Sequence, residues 1–197
     1  MIAGILLAAG SSTRFGSHKL LHRLPNGTPM AVAALRNLAQ GVDEVIVVVR
    51  PGDTELMQLL AREQARVLPC ANAELGMGAS LACGVRAAPD AAGWIIALAD
   101  MPFVPGDVVS TIATRLKAGD AIVAPTYQGQ RGHPVGFSRA FYPALSVLTA
   151  DQGARGILEQ NADRLTLIPS TDPGVLRDID TPNDLLTGLE LSGNSPI

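Results

Sequence analysis

The chain has 197 residues, 47% of them hydrophobic, which is enough to bury one sizeable core within the usual span of a single domain. Fifteen basic residues against 18 acidic ones give a net charge of -3, so no global positive field exists to hold a nucleic-acid backbone and a polynucleotide partner is not expected. No apolar run approaches the roughly 18 residues of a membrane span, and the apolar start at Met1 to Gly10 has no basic flank, so it reads as a strand and not as a leader.

Ile2 to Ala8 is a continuous apolar run stopped by Gly10 and Ser11, the pattern of a strand buried on both faces. A polar loop follows, then helical spacing from Pro29 to Leu38, with Thr28 as N-cap before a proline at the first helical position. Glu44 to Arg50 contains Val45 to Val49, β-branched throughout and closed by Pro51-Gly52, which predicts a second buried strand and completes a βαβ unit. A helix over Asp53 to Arg62, a short strand at Arg66 to Leu68, a helix over Met77 to Ala88 and a strand at Trp94 to Ala99 continue the alternation.

Beyond Pro105 the spacing predicts a helix to about Lys117, a strand at Ala121 to Ala124, a loop over Thr126 to His133 and a strand at Val135 to Phe137. Helices near Arg139 to Leu148 and Gly153 to Asn161, strands at Leu165 to Ile168 and Leu176 to Ile179, and a closing helix from Pro182 complete the series. The second half is expected to cap the sheet built by the first. Strands alternating with helices of about ten residues give a Rossmann-like three-layer α/β/α fold with a mostly parallel sheet. One domain over residues 1–191 and a flexible tail at 192–197 are expected, without repeats or linkers. Cys70 and Cys83 match no metal or redox spacing and read as small buried thiols of a reducing cytoplasm.

In such a sheet the functional loops lie at the carboxyl ends of the strands, so Ala9 to Lys19 and Asp100-Met101-Pro102 should converge. The first of these, Leu7-Ala8-Ala9-Gly10-Ser11-Ser12-Thr13-Arg14-Phe15-Gly16-Ser17-His18-Lys19, combines small residues for close backbone approach with Arg14 and Lys19 to balance phosphate charge. It is a candidate triphosphate cradle, although neither the P-loop spacing nor GxGxxG fits, which counts against an NAD(P)-dependent oxidoreductase. Asp100, at the abrupt end of an apolar strand opposite these cations, is where a magnesium ion bridging phosphates needs an oxygen ligand. A turn or helix cap is its plainer role. Asp178 and Asp180 could add a second ligand, or Asp180 or Thr181 could cap the helix begun by Pro182. Asn72, Gly76, Gly78 and Ser80 open a helix on the same edge, where they could pack on a planar base or merely cap that helix.

LAAGxSxRxGxxK after a first strand resembles the signature of nucleotidyltransferases with a glycosyltransferase-A-like fold, and this version resembles the molybdenum cofactor cytidylyltransferases. LADMP around Asp100, DIDTPxDL around Asp180, the GMGxSL segment at Gly76 to Leu81, RGHPVxF from Arg131 and DxGAR from Asp151 resemble that family's further motifs, in order, over Ile2 to Leu186. The resemblance implies transfer of CMP from CTP to molybdopterin, with release of pyrophosphate. It gives the backbone from Leu7, Ala8, Ala9 and Gly10 through Ser11 and Ser12 to the nucleotide, and Arg14 and Lys19 to its phosphates. Magnesium falls to Asp100 and Asp180 with Asp178 beside them, and the acceptor to Arg131, His133, Pro134 and Arg155. Ala9 favours CTP, because the related guanylyltransferases resemble LAGG at Leu7 to Gly10. A recipient molybdoenzyme or its chaperone is the macromolecular partner this implies. A nucleotide-binding or cofactor-carrier protein without turnover is the alternative of another class.

Overall fold

The computed structural model describes residues 1–10, 18–149 and 153–186. Ser11, Ser12, Arg14, the Asp151-Gln152 half of the DxGAR motif and the tail at 192–197 lie outside the described residues.

Four strands build the first half: β1 (Ile2–Leu7), β2 (Glu44–Val49), β3 (Arg66–Pro69) and β4 (Gly93–Leu98). They are connected through α1 (Met30–Ala39), α2 (Thr54–Ala61) and α3 (Met77–Ala87). All three pairings among them are parallel, with β1 lying between β2 and β4. After α4 (Gly106–Lys117), the chain makes β5 (Ile122–Tyr127), β6 (Gln130–Arg131) and β7 (Val135–Ser138). Then come α5 (Tyr142–Leu145), α6 (Arg155–Gln160), β8 (Leu165–Pro169) and α7 (Pro182–Leu186). Among the described residues the sheet has eight strands in the order β3-β2-β1-β4-β7-β5-β6, with β8 added parallel to β5. The second half therefore widens the sheet instead of capping it, through antiparallel pairings of β7 with β4 and β5 and of β6 with β5.

Helices cover both faces, which is why the early strands read as unbroken apolar runs. Ile2 and Leu6 of β1 and Val47 and Val49 of β2 share one core with Leu35 of α1, Leu56 of α2 and Ile112 of α4. Ala3 and Ile5 of β1 and Ile46 and Val48 of β2 share the other with Leu81 of α3, Leu145 of α5 and Leu158 of α6. This is a three-layer α/β/α sandwich. No helix among the described residues is long and apolar enough to cross a membrane. Cys70 is buried and Cys83 half-buried, both free thiols, and burial pushes the Cys83 thiol up to about 11.

Several expected local features differ. Helix α1 begins at Met30 with Pro29 as its N-cap and no side-chain cap, so Thr28 does not fill that role. The expected loop from Thr126 is partly a hairpin, because Thr126 pairs with Arg131 around a turn in which Gln128 and Gly129 take positive φ. Arg139 to Leu148 gives only a 3-10 turn and the four-residue α5. Leu176 to Ile179 is not a strand: a 3-10 turn spans Pro173–Leu176, and the following residues have no ladder partner among the described residues. Ile179 is buried near the end of β4, where its amide donates to the Asp100 carbonyl at 2.9 Å.

Close approach of α3 to the sheet depends on Gly84. A Cβ at that position would stand 2.5 Å from Ile5 Cγ2 and 3.0 Å from Val48 Cγ2. Gly84→Val is expected to lower the unfolding free energy by about 1–3 kcal/mol through overpacking, measured as a reduced urea midpoint; an unchanged midpoint contradicts this packing.

Candidate active site

The chain runs outward from β1 to β2 and β3, then returns to β4 on the other side of β1. Crevices at the carboxyl ends of strands form at such a reversal. A cavity of about 330 Å³ opens there, lined by Leu7 at the end of β1 with Ala9 and Gly10 beyond it, Arg50 after β2, Ala73 to Ser80 in part, and Leu98 at the end of β4 with Asp100 beyond it. Its volume lies within the range of small-molecule sites.

Each wall has a local cause. Gly76 sits at φ 119, a conformation open to glycine, and turns the chain from a 3-10 turn at Ala73–Leu75 into α3. Helix α3 has no side-chain cap, so the positive end of its dipole faces the cavity at Gly76 and Met77. Ser80 lines the cavity but turns its hydroxyl back to the Gly76 carbonyl at 3.5 Å, while Gly78 is buried inside the helix. Asn72 is exposed and does not line the cavity. Ala8 is tied by its amide to the Val48 carbonyl at 2.9 Å, which holds the backbone before Ala9 against the sheet.

At the Asp100 end of the cavity lies a cluster of three charges. Lys19 is 6% exposed, and its Nζ donates to Asp100 Oδ2 at 3.0 Å and to Asp180 Oδ1 at 2.9 Å. Burial works to lower the Lys19 pKa, but the two carboxylates outweigh it and hold the ammonium above its ordinary value. The side chains of Asp100 and Asp180 are 32% and 48% exposed, so solvent screens the pairs and their worth falls below the roughly 3–5 kcal/mol of a fully buried ion pair.

Asp180 is delivered by its neighbours. Ile179 is bonded to Asp100, Arg177 lies 4.5 Å over the Phe103 ring, and Asp184 Oδ2 accepts from the amides of Asp180 at 2.9 Å and Thr181 at 2.6 Å. The Thr181 hydroxyl also donates to Asp184, so the Asp184 carboxylate gathers the amides and hydroxyl at the start of α7, and Asp180 is left pointing at Lys19. These bonds to Thr181 hold the Asp184 carboxyl below the usual carboxylate range. Asp178 is exposed and makes no contact with Lys19.

Two carboxylates sharing one ammonium form a site built to hold a cation. No three His, Cys, Asp or Glu side chains among the described residues come together as a self-sufficient metal site. A divalent ion at Asp100 and Asp180 therefore fits only with further oxygens from phosphate or water, which is the usual arrangement for magnesium with nucleotides.

The remaining candidates lie elsewhere. Arg131 is exposed on β6, and Arg155 opens α6 with its guanidinium paired to Glu159 at 2.8 Å. His133 and Pro134 border a small crevice beside Met101 on the opposite side of the sheet end, joined by a cis peptide bond. The His133 amide donates to the Val175 carbonyl at 2.8 Å. Arg50 was not singled out in the sequence, yet it lines the cavity and its Nε donates to the Ala9 carbonyl at 2.7 Å. The available signal was a cation at the carboxyl end of a strand next to β1. Glu74 and Met77 complete the lining.

Residues 4–165 match the family model described as the MobA-like NTP transferase domain. The purine catabolism protein PucB of Bacillus subtilis is 30% identical over 193 residues, covering 93% of each chain. The nicotine blue oxidoreductase of Paenarthrobacter nicotinovorans is 29% identical over 91% of this chain and 92% of its own. A molybdenum cofactor guanylyltransferase of Burkholderia ambifaria is 37% identical over 62% of this chain and 60% of its own. Among solved structures, that of Rv0371c from Mycobacterium tuberculosis in complex with manganese superposes with a TM-score of 0.74 at 27% identity, covering 96% of this chain and 98% of the other. With this fold and this cavity, the chain belongs to the MobA-like NTP transferase family and is a nucleotidyltransferase.

His133 supplies a pH-dependent prediction. Its ring Nδ1 is buried without a hydrogen-bond partner among the described residues. Burial, aided by Arg131, holds its pKa below the ordinary value, against the opposing pull of Asp100 and Asp178. The unfolded chain then takes up the proton more readily, so stability is fully present above the unfolded pKa of about 6.5 and is lost as pH falls through the folded value. Between about pH 7.5 and pH 5 the urea midpoint should fall more in the wild type than in His133→Gln. Parallel profiles would refute this.

Proposed function

We propose that the chain transfers CMP from CTP to molybdopterin, giving molybdopterin cytosine dinucleotide and pyrophosphate, and that it does so in the cytoplasm. The observation that carries the reaction type is the Lys19–Asp100–Asp180 cluster at one end of the cavity, which joins cationic and anionic groups where a triphosphate and its metal need them. The nucleobase rests on Ala9, which lines that cavity where the guanylyltransferase-like sequence has glycine.

The acceptor's phosphate oxygen attacks the α-phosphorus in line; the new P–O bond forms as the bond to the β-phosphate oxygen breaks, and pyrophosphate leaves. The attacking phosphate is already ionised, so no general base is needed. This accounts for a site that has no Ser/His/Asp arrangement. Arg14 and Lys19 balance the charge of the leaving pyrophosphate, and the backbone from Leu7 to Ser12 cradles the nucleotide. Asp100 and Asp180 hold magnesium, which when bound spreads the phosphate charge, and Asp178 is left in solvent beside them. Gly76 and Ser80 at the positive end of α3 border the nucleoside, Gly78 is buried within the helix between them, and Asn72 stands outside the cavity. Arg131, His133, Pro134 and Arg155 serve the acceptor, and a recipient molybdoenzyme or its chaperone takes the product.

Pyrophosphate release with each of the four nucleoside triphosphates and molybdopterin tests this directly. CTP should give the fastest turnover. Preference for GTP would make the chain a guanylyltransferase, and no release with any triphosphate would favour a binding protein or the oxidoreductase chemistry named for the nicotine blue relative. Asp100→Asn should lower turnover by about 100-fold or more while leaving the thermal midpoint near that of the wild type; near-normal turnover removes Asp100 from the site. Lys19→Ala should abolish turnover too, but it removes the only cation described between two carboxylates and is expected to cost stability as well.

A further inference from the structure

The position of Lys19 raises a difficulty for its role at the phosphates, because its ammonium is already committed to both carboxylates assigned to the metal. A divalent ion would need those same oxygens, and two cations within contact distance repel each other. The backbone of Lys19 opens the 3-10 turn Lys19–Leu21, whose Leu20 is buried, and the preceding His18 contacts Asp53 at 3.0 Å. Beyond Cβ, however, the side chain is a flexible stem carrying a compact charge.

We propose that Lys19 is a resident counter-ion that fills the metal's role in the free enzyme and is exchanged when a metal–triphosphate complex binds. The metal takes the oxygens of Asp100 and Asp180, and the displaced ammonium swings on its stem to the incoming phosphates. This rests on the nucleotidyltransferase reading of the same site. Charge is better matched at both stages: the two carboxylates share one ammonium in the free enzyme, a divalent ion would balance both, and the lysine passes from carboxylate to phosphate. The consequence is that metal alone binds poorly and enters chiefly with nucleotide. The free enzyme thereby avoids a tightly held ion that would have to be shed before each new triphosphate.

The exchange makes a prediction opposite in sign to a merely structural lysine. Mn²⁺ binding without nucleotide, followed by electron paramagnetic resonance, should be at least about tenfold tighter in Lys19→Met and Lys19→Gln than in the wild type. The gain should disappear when Asp180→Asn is added. Where the lysine variants are unstable in metal-free buffer, Mn²⁺ should raise their melting temperature more than that of the wild type, since it replaces the missing cation. Equal or weaker Mn²⁺ affinity in both variants, or no preferential thermal rescue, overturns the exchange. Asp100→Asn in the presence of CTP separates this failure from that of the underlying site: loss of nucleotide-assisted Mn²⁺ binding keeps the site and isolates the lysine's role. Retention of full Mn²⁺ binding there overturns both.

Discussion

One ammonium group holds the functional edge of this molecule together. Lys19 joins a loop at the end of β1 to Asp100 after β4 and to Asp180, separated from it by 81 and 161 positions in the chain. Remove its charge and two carboxylates face each other at the carboxyl edge of the sheet. The surrounding fold is arranged to bring them there: parallel β1 and β4 end side by side, the Ile179 amide bonds the Asp100 carbonyl, and the Asp184 cap aims the preceding carboxylate inward. The same balance of charge suits a site that must accept a triphosphate and a divalent ion and release pyrophosphate.

Much of the architecture was legible in the sequence because burial on both faces leaves an unmistakable trace. The runs at Ile2 to Leu7 and Val45 to Val49 are apolar throughout, and each proved to be a parallel strand between helical layers. The rule that loops gather at strand carboxyl ends correctly brought Lys19 and Asp100 together. Periodicity failed where segments were short. Leu176 to Ile179 was too short for its pattern to distinguish a strand, and its apolar ends anchor an irregular segment that delivers Asp180. Val135 to Phe137 was identified as a strand, yet nothing in its pattern revealed that it runs antiparallel between β4 and β5.

The site was readable to a similar depth. Gly76 and Ser80 line the cavity as the glycine-rich spacing suggested, whereas Asn72 does not. Arg50 was overlooked because it stands outside every motif; only the pairing of β2 with β1 brings its guanidinium to the Ala9 carbonyl. Likewise, Lys19 looked from the sequence like a phosphate ligand alone, since its distant carboxylate partners are a property of the folded chain. The membership in the MobA-like NTP transferases fixes the class of reaction.

The assigned role of the cavity depends on where a nucleotide and its metal bind. A crystal structure with Mn²⁺ and a non-hydrolysable CTP analogue, using anomalous scattering to locate the ion, tests it most directly. Manganese between Asp100 and Asp180, Lys19 turned to the phosphates and the base in the cavity beside Ala9 and Gly76 is the predicted result. Nucleotide bound away from that cavity, or manganese coordinated without either aspartate, would contradict it.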